Sequence, residues 1–338
     1  MIKYLGSKRQ LIPEILSALR GAAPKARSVI DLFSGTSRVG HALKKEGYQV
    51  LANDHNTYAY ALAKCYVETD LDEVEKPLSK LICEFNKLVG TPGFFTKNFC
   101  ENARFFHPKN GERVDAIREA IEKKDLTPAL KAAVLVSLME AADRVDSTCG
   151  IQMAYLKKWA PRADKHLELR MPLLLPRASA GQGKAHQLEA LEAAQTLQAD
   201  AVYLDPPYNQ HSYRGNYHIW ETLIVWDKPD LYGQAQKRTD CRTKKSEFNS
   251  KIKFLKAFSQ VIASLQCQTL IVSFNNEGFI GKSEMESLLA QKGEVSTLAL
   301  DYKRYVGAQI GIYNPQGKRV GKATHLYNKE YLYMVRAR

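Results

Sequence analysis

The sequence has 338 residues, 45% of them hydrophobic and 25% charged, which is typical of a globular protein with one large core or two ordinary ones. No stretch reaches the roughly 18 uninterrupted apolar residues of a membrane span, and Lys3, Lys8 and Arg9 interrupt any signal peptide, so we expect a cytoplasmic protein. The formal net charge of +13 favours a polyanionic partner such as nucleic acid, and it says nothing about the fold.

The amino-terminal part of the chain has the pattern of a βαβα unit. Residues 29–33 (VIDLF) form a short apolar run that ends in a glycine-containing turn, and helical spacing resumes over residues 39–43. A second strand is predicted over residues 49–52, followed by a helix over residues 58–66 with alanine and leucine on one face. Strand, turn and helix repeated in this way indicate the start of a parallel sheet.

A mainly helical region is predicted between residues 67 and 180, where it interrupts the strands. Charged helical patterns dominate it, over residues 71–88, 111–124 and 128–145. The region ends in residues 171–184, whose prolines and glycines predict a loop that returns the chain to the sheet.

Further strands are predicted after this region. Residues 201–204 (AVYL) are apolar, and residues 269–274 (TLIVSF) form a continuous apolar run of the type that is buried on both faces of a parallel sheet. Residues 295–305 and 330–335 are predicted to be a closing pair of strands. We therefore predict a doubly wound α/β domain, formed by residues 1–66 and 181–338 and split by the helical insertion 67–180.

The sharpest chemical signal is Asp205-Pro206-Pro207-Tyr208, at the carboxyl end of a predicted strand, where open α/β sheets bind their ligands. An aromatic amine is a poor nucleophile because its lone pair is delocalised into the ring. The Asp205 carboxylate and the rigidly held carbonyl of Pro206 can accept the amino hydrogens and localise that lone pair. Tyr208 offers a flat face to a base extruded from a duplex and an electron-rich face to a sulfonium. Alone, the same four residues also fit a strand end with a capped turn.

A second set of residues indicates an adenosine-containing cofactor without phosphates. Asp31, Phe33 and Gly35 stand at the first βα junction, where Gly35 lets a ligand approach the backbone and Phe33 can wall an adenosine. Asp54 follows the second strand, where a carboxylate can accept both ribose hydroxyls. The G-x-G-x-x-G pattern of dinucleotide sites is missing, since Ser37 stands two residues after Gly35.

Taken in order, YLGSK at residues 4–8, DLFSG at residues 31–35, Asp54 and DPPY followed by Asn209 resemble the Dam-like class of DNA adenine methyltransferases. The resemblance implies a Rossmann-like class I methyltransferase sheet, S-adenosylmethionine as cofactor, and methyl transfer to the 6-amino group of adenine in duplex DNA by base flipping. It implies cofactor contacts for Tyr4 and Lys8, beside Asp54 and Asp205, and leaves room for a cognate restriction endonuclease as a partner. The sequence departs from the family pattern at Ser37, where a second glycine is frequent, and in YLGSK, where aromatic-Ala-Gly-Gly-Lys is commoner.

Two segments are candidates for DNA contacts. The segment after DPPY mixes aromatic, amide and basic side chains, which suit phosphate binding and the filling of the gap left by an extruded base. The inserted region offers donors and acceptors suited to the major groove, which makes it the predicted target-recognition region. Arg144 could equally pair with Glu140 or Asp143 across a helical turn. The candidates are Arg214, Asn216, Tyr217, Lys244 and Lys245 in the first segment and Arg144, Lys157 and Lys158 in the second.

Three functions remain open from the residues alone. They are an adenine-specific DNA methyltransferase, the same machinery acting on the cytosine amino group or on RNA, and a non-catalytic nucleic-acid-binding protein. Adenine and cytosine amines need the same acceptors and the same stacking face, so only the resemblance favours adenine. We expect no metal, because a sulfonium already carries an activated methyl group and the six cysteines have no ligand spacing.

Overall fold

The computed structural model describes residues 1–303, 312–313, 319–321 and 327–337. Its strands, in chain order, are β1 (Ser28–Asp31), β2 (Gln49–Asn53), β3 (Lys184–His186), β4 (Ala201–Leu204), β5 (Leu231–Tyr232), β6 (Lys237–Arg238), β7 (Thr269–Asn275), β8 (Gly293–Lys303), β9 (Ile312–Tyr313), β10 (Arg319–Gly321) and β11 (Tyr327–Ala337). Seven of them form one sheet in the order β3-β2-β1-β4-β7-β11-β8, and β5-β6 and β9-β10 are separate pairs. The first five strands of this order pair in parallel, and β11 runs antiparallel between β7 and β8. The prediction of a Rossmann-like α/β fold is confirmed.

Helices cover the sheet and fill the long connection between β2 and β3. They are α1 (Ile12–Ala22), α2 (Arg38–Lys45), α3 (Thr57–Ala63), α4 (Leu71–Asn86), α5 (Phe94–Thr96), α6 (Pro108–Glu122), α7 (Pro128–Arg144), α8 (Ala190–Thr196), α9 (Tyr213–Asn216), α10 (His218–Val225), α11 (Lys251–Ser264) and α12 (Lys282–Leu289). Two π-helical segments, Lys64–Glu68 and Lys97–Glu101, continue α3 and α5. None of the described helices has the length and apolar composition to span a bilayer.

The sheet has a separate apolar core on each face, because successive strand residues point to opposite sides. On one face, Ile30 and Val202 pack with Phe254 and Phe258 of α11. On the other, the neighbouring residue Val29 packs with the helices α1 and α2. Every residue of β4 and of β7 is buried, which explains the continuous apolar runs in their sequences.

A third core lies in the helical region between β2 and β3. Phe95, Phe106 and Met139 of this region pack with Tyr58 of α3 and Trp220 of α10. Helix α10 follows the DPPY motif in the chain, so the segment after that motif is anchored in the helical region. The division of the chain at residues 66 and 181 stays a prediction.

Strand β1 is the point at which the strand order reverses, since β2 lies on one side of it and β4 on the other. In open α/β sheets this reversal opens a crevice at the carboxyl ends of the strands, because the following loops turn in opposite directions. The loop that begins at Leu32 follows β1, and Asp205 directly follows β4. Both sequence motifs therefore meet at one edge of the sheet.

The observed elements agree with the predicted ones except at some ends. The strand predicted over residues 201–204 is confirmed, and the one over residues 269–274 extends by one residue, to Asn275. The predicted closing strands are β8 and β11, which pair antiparallel; residues 304 and 305 of that prediction lie outside the described residues. The helix predicted over residues 58–66 changes to π geometry at Lys64.

Candidate active site

A cleft at the carboxyl ends of β1, β2 and β4 encloses about 970 Å³ of space, part of it open to solvent. All seven residues predicted to bind the cofactor line it, and they come from four separate parts of the chain. They are Tyr4, Lys8, Asp31, Phe33, Gly35, Asp54 and Asp205. The fold thus brings the predicted cofactor residues and the predicted catalytic acid into one cleft.

Hydrogen bonds to Asp31 fix the conformation of the loop after β1. This buried carboxylate accepts hydrogen bonds from the Ser34 hydroxyl at 3.0 Å and from the Gly40 amide at 3.1 Å. Burial raises the pKa of Asp31 to about 7, against the opposing effect of the Ser34 hydrogen bond. Gly35 has φ +51°, in the left-handed region that favours glycine, and a side-chain carbon there would lie 3.4 Å from the Tyr4 ring, so the loop and the amino-terminal motif are in close contact.

Ser37 occupies the position at which the family frequently has a second glycine. It adopts a left-handed backbone, with φ 57° and ψ 23°, immediately before α2. Its hydroxyl is in hydrogen-bond contact with that of Ser34, with the two oxygens 3.1 Å apart, and the side chain is fully buried. Ser37 therefore adopts the left-handed backbone conformation that glycine favours, and this conformation is somewhat strained for serine.

Asp54 is oriented by hydrogen bonds from two loops. One carboxylate oxygen accepts the Gly35 amide at 3.0 Å, and the other accepts the backbone and side-chain amides of Asn56 at 2.9 and 3.1 Å. Each carboxylate oxygen has two lone pairs, so the oxygen that accepts Gly35 retains room for one further donor, while both lone pairs of the other are used by Asn56. Asp54 can therefore receive one further hydroxyl while it fixes the loop after β1.

Asp205 forms a buried ion pair that links three parts of the chain. The Lys8 ammonium lies 3.0 Å from the Asp205 carboxylate and 2.8 Å from that of Glu330, on β11. Glu330 is 3% exposed and also accepts the Ser273 hydroxyl at 2.6 Å. Burial raises the pKa of Asp205 to about 6, Lys8 opposes this rise and Glu330 adds to it. Asp205 is therefore ionised at neutral pH, when it can only accept hydrogen bonds.

The remaining residues of the DPPY motif lie beside this ion pair. Pro206 is buried, and Pro207 rather than Pro206 or Tyr208 lines the cleft. The half-buried Tyr208 ring packs edge-on against Phe274, with their centroids 5.9 Å apart. The Lys8 ammonium lies 6.0 Å from the Tyr208 ring centroid, at the limit of a cation–π contact.

A stack of three tyrosines joins the amino-terminal motif to the segment after DPPY. The Tyr4 ring stacks on Tyr217 and on Tyr213, with centroid distances of 4.5 and 5.1 Å. The Tyr217 hydroxyl oxygen accepts the Leu5 amide at 2.6 Å, and the Tyr4 and Tyr58 hydroxyls are 3.1 Å apart. Tyr4 therefore lines the cleft itself and, by stacking, also holds Tyr213 and Tyr217 in place beside it.

Arg214, Asn216 and Tyr217, which are predicted to contact DNA, lie at buried positions. All three are buried, with exposures of 7%, 4% and 1%. The Arg214 guanidinium lies 3.2 Å from Glu221 and 2.8 Å from Asp240, so two carboxylates already compensate its charge. Their burial does not favour direct contact with a duplex, although Arg214 lines the cleft, and DNA contact by these residues stays a prediction.

Exposed basic residues beside the cleft fit the DNA prediction better. Lys244 and Lys245 are exposed, and Lys244 lines the cleft. Helix α11 adds exposed Lys251, Lys253 and Lys256, and its first turn contains no acidic residue. Lysines at a helix amino terminus interact unfavourably with the positive end of the helix dipole. Their presence therefore fits the binding of an external anion better than the stabilisation of the helix. The pattern KIKFLK at residues 251–256 could have indicated this basic surface.

The candidates in the inserted region lie on its surface or near it. Lys157 and Lys158 are exposed. Arg144 forms no salt bridge with Glu140 or Asp143, and its guanidinium donates to the Glu168 carbonyl at 2.7 Å. Across the described residues, no three histidine, cysteine or acidic side chains gather as metal ligands.

The family model of the D12 class N6 adenine-specific DNA methyltransferases matches residues 4–280, which include every motif that lines the cleft. The chain belongs to this family. The predicted activity of this D12-class methyltransferase, adenine-specific DNA methylation, is confirmed at the level of the family. DNA is accordingly its substrate, and the reaction requires a methyl donor.

Similar proteins cover nearly the whole chain. Type II methyltransferase M.NlaIII of Neisseria lactamica is 27% identical over 98% of this chain and 100% of its own length. Modification methylase StsI of Streptococcus sanguinis is 30% identical over 96% of this chain, and Type II methyltransferase M.FokI of Planomicrobium okeanokoites is 31% identical over 90%. The D12-class chain spans about half the length of the last two proteins.

Proposed function

We propose that this D12-class methyltransferase uses S-adenosylmethionine to methylate the 6-amino group of an adenine flipped out of duplex DNA. The observation that carries the proposal is the cleft in which Asp205, ion-paired with Lys8, lies together with Asp54 and Gly35. The cleft thus combines an acceptor for an amine, Asp205, with the Asp54 carboxylate, which can accept a ribose hydroxyl. No single motif of the sequence would support both halves of this reaction.

The residues after β1 and β2 fit a cofactor that carries an adenosine. Gly35 leaves the backbone open to a ligand, and Phe33 lines the cleft beside it. Asp54 is oriented by Gly35 and Asn56 and retains one lone pair for a ribose hydroxyl. When bound, the cofactor supplies a methyl group that is already activated on a sulfonium.

Asp205 and the Pro206 carbonyl would accept the two amino hydrogens of the target base and make its nitrogen more nucleophilic. Lys8 keeps Asp205 ionised for this purpose, because its ammonium opposes the rise in pKa that burial causes. The Tyr208 ring would stack on the base, which offsets part of the stacking free energy lost on extrusion. With a pKa of about 6, Asp205 can also take the proton that the nitrogen gives up.

DNA would lie across the mouth of the cleft, where basic side chains are exposed. Lys244 and Lys245 are placed to bind phosphates next to the extruded base, and the lysines of α11 extend this surface. We assign sequence recognition to the inserted region, residues 67–180, in which Lys157 and Lys158 are exposed. Because its relatives are named Type II methyltransferases, we also propose a cognate restriction endonuclease as a partner.

The test is transfer of labelled methyl groups from S-adenosylmethionine to mixed-sequence duplex DNA, followed by digestion and identification of the modified nucleoside. We expect N6-methyladenine, and we expect the isosteric Asp205→Asn variant to lose it. The matched control is Asp72→Asn, which changes an exposed carboxylate on α4. Methylation of the cytosine amino group, or no incorporation by an enzyme that binds the cofactor, would overturn the proposal.

A further inference from the structure

Among the residues that the structure describes, four lysine and arginine side chains line the cleft, and three of them face carboxylates. Lys8 contacts Asp205 and Glu330, as described above. Arg214 contacts Glu221 and Asp240, and the Lys244 ammonium lies 4.0 Å from Asp240. The fourth is Arg38, for which no carboxylate of the described residues lies within 4.0 Å. Its positive charge is the one that the described protein leaves without a counter-ion in the cleft.

Arg38 is the first residue of α2 and directly follows the loop after β1, whose conformation is fixed by hydrogen bonds to Asp31. One terminal nitrogen of its guanidinium donates to the Ile2 carbonyl at 3.0 Å, a neutral acceptor that orients the side chain. Its Nε is buried and has no hydrogen-bond partner among the described residues. Burial, and then the neighbouring Arg9, lowers the pKa of the guanidinium. Glu140 and Asp143 oppose this effect only from beyond 4.0 Å, so a bound anion in direct contact would further offset the cost of removing the charge from water.

We propose that Arg38 binds the carboxylate of the amino-acid end of S-adenosylmethionine and so selects ligands that carry it. This inference rests on the proposed function. The planar guanidinium has donors arranged to match a carboxylate, and this one stands at the end of the cofactor loop. Lys8, the other cation contributed by the amino-terminal half of the cleft, is already held by two carboxylates.

A phosphate of DNA is the alternative anion, and the position of Arg38 favours the carboxylate. Arg38 is held against the backbone of Ile2, a fully buried residue, whereas the exposed lysines lie around the mouth of the cleft. Phosphates approach from the surface, while the amino-acid end of the cofactor would lie inside the cleft. The same variant can distinguish the two sources.

The test compares S-adenosylhomocysteine with its decarboxylated analogue, which lacks only the carboxylate, by calorimetric titration of the whole chain. We expect Arg38→Gln to weaken S-adenosylhomocysteine about 10- to 100-fold, the usual effect of one charge-assisted hydrogen bond, and to leave the analogue unchanged. Arg38→Lys, which keeps the charge and loses the planar fork, should lie between. The control is Arg9→Gln, which removes an exposed neighbouring cation that does not line the cleft and should leave the ratio unaltered.

Retained affinity for the analogue also shows that the variant folds. Equal binding of both ligands by the unmodified protein, or an equal loss of both in Arg38→Gln and Arg38→Lys, would overturn the inference and leave the proposed function standing. A variant that loses duplex DNA and keeps S-adenosylhomocysteine would assign Arg38 to a phosphate instead, which also overturns it. Failure of the unmodified protein to bind S-adenosylhomocysteine would overturn the proposed cofactor itself.

Discussion

Replacing Glu330 by glutamine is expected to let the enzyme work at lower pH. Glu330 and Asp205 contact the same Lys8 ammonium at 2.8 and 3.0 Å, so their nearest oxygens lie no more than about 6 Å apart. At an effective dielectric constant of about 20, a unit charge at about 6 Å changes the free energy of ionisation by about 2.8 kcal/mol, or about two pKa units. Partial hydration of the cleft reduces this, and we expect a shift of about one to two units.

The sign of the shift follows from the role proposed for Asp205. It must be ionised to accept the amino hydrogens, and its pKa is about 6, so activity falls as the pH falls through that value. Removing the negative charge of Glu330 favours the ionised form of Asp205 and lowers its pKa. The acid limb of the pH profile therefore moves to lower pH.

The assay is the single-turnover rate of methyl transfer at saturating DNA and cofactor, measured from about pH 4.5 to about pH 9. The matched control is Glu294→Gln, which removes an exposed carboxylate on β8 and should leave the profile in place. An acid limb that stays unchanged in Glu330→Gln, or that moves to higher pH, would refute the assignment of this limb to Asp205 and the role of Glu330.

Variants at four further positions test other parts of the proposed site. Asp205→Ala should reduce methyl transfer by at least about 10²–10⁴-fold with an unchanged melting temperature, and a fully active variant would contradict the mechanism. Lys244→Ala or Lys245→Ala should weaken duplex binding and reduce the slope of log affinity against log salt by about 0.9 each; an unchanged slope excludes that residue from the interface. Ser37→Gly should be at least as stable as the parent protein. The variant loses the hydrogen bond with Ser34, worth about 1 kcal/mol, but it is relieved of about 1–2 kcal/mol of strain in the left-handed backbone. Ser37→Ala loses the bond and keeps the strain, so equal melting temperatures for the two variants would contradict this account.

The parallel strands and the residues at their carboxyl ends could be predicted from the sequence. Apolar runs such as residues 201–204 identify a buried strand locally, and carboxyl ends of parallel strands share one edge of the sheet. Asp31, Asp54 and Asp205 therefore come together wherever the strands pair correctly. The amino-terminal motif was placed by resemblance, since nothing local in Tyr4 or Lys8 indicates a cleft.

Partners supplied by distant parts of the chain could not be predicted. Glu330 is an acid within a strand-like pattern, and only the insertion of β11 beside β7 brings it to Lys8. Arg214 lies in a segment whose composition suits DNA, but its burial depends on Glu221 and Asp240, which the folded chain brings to it. The composition of a segment indicates which kind of ligand its side chains could bind, but tertiary packing decides which of those side chains are exposed.

The ion pair between Lys8 and Glu330 joins residues 322 positions apart in the chain. During synthesis, all the motifs of the cleft are made before β11, the strand whose Glu330 contacts Lys8. Until β11 enters the sheet between β7 and β8, the ammonium beside Asp205 lacks its second carboxylate. The complete sheet beside Asp205 should therefore form only after β11 has been synthesised, and two halves of the chain should recover full activity only after they reassemble into one sheet.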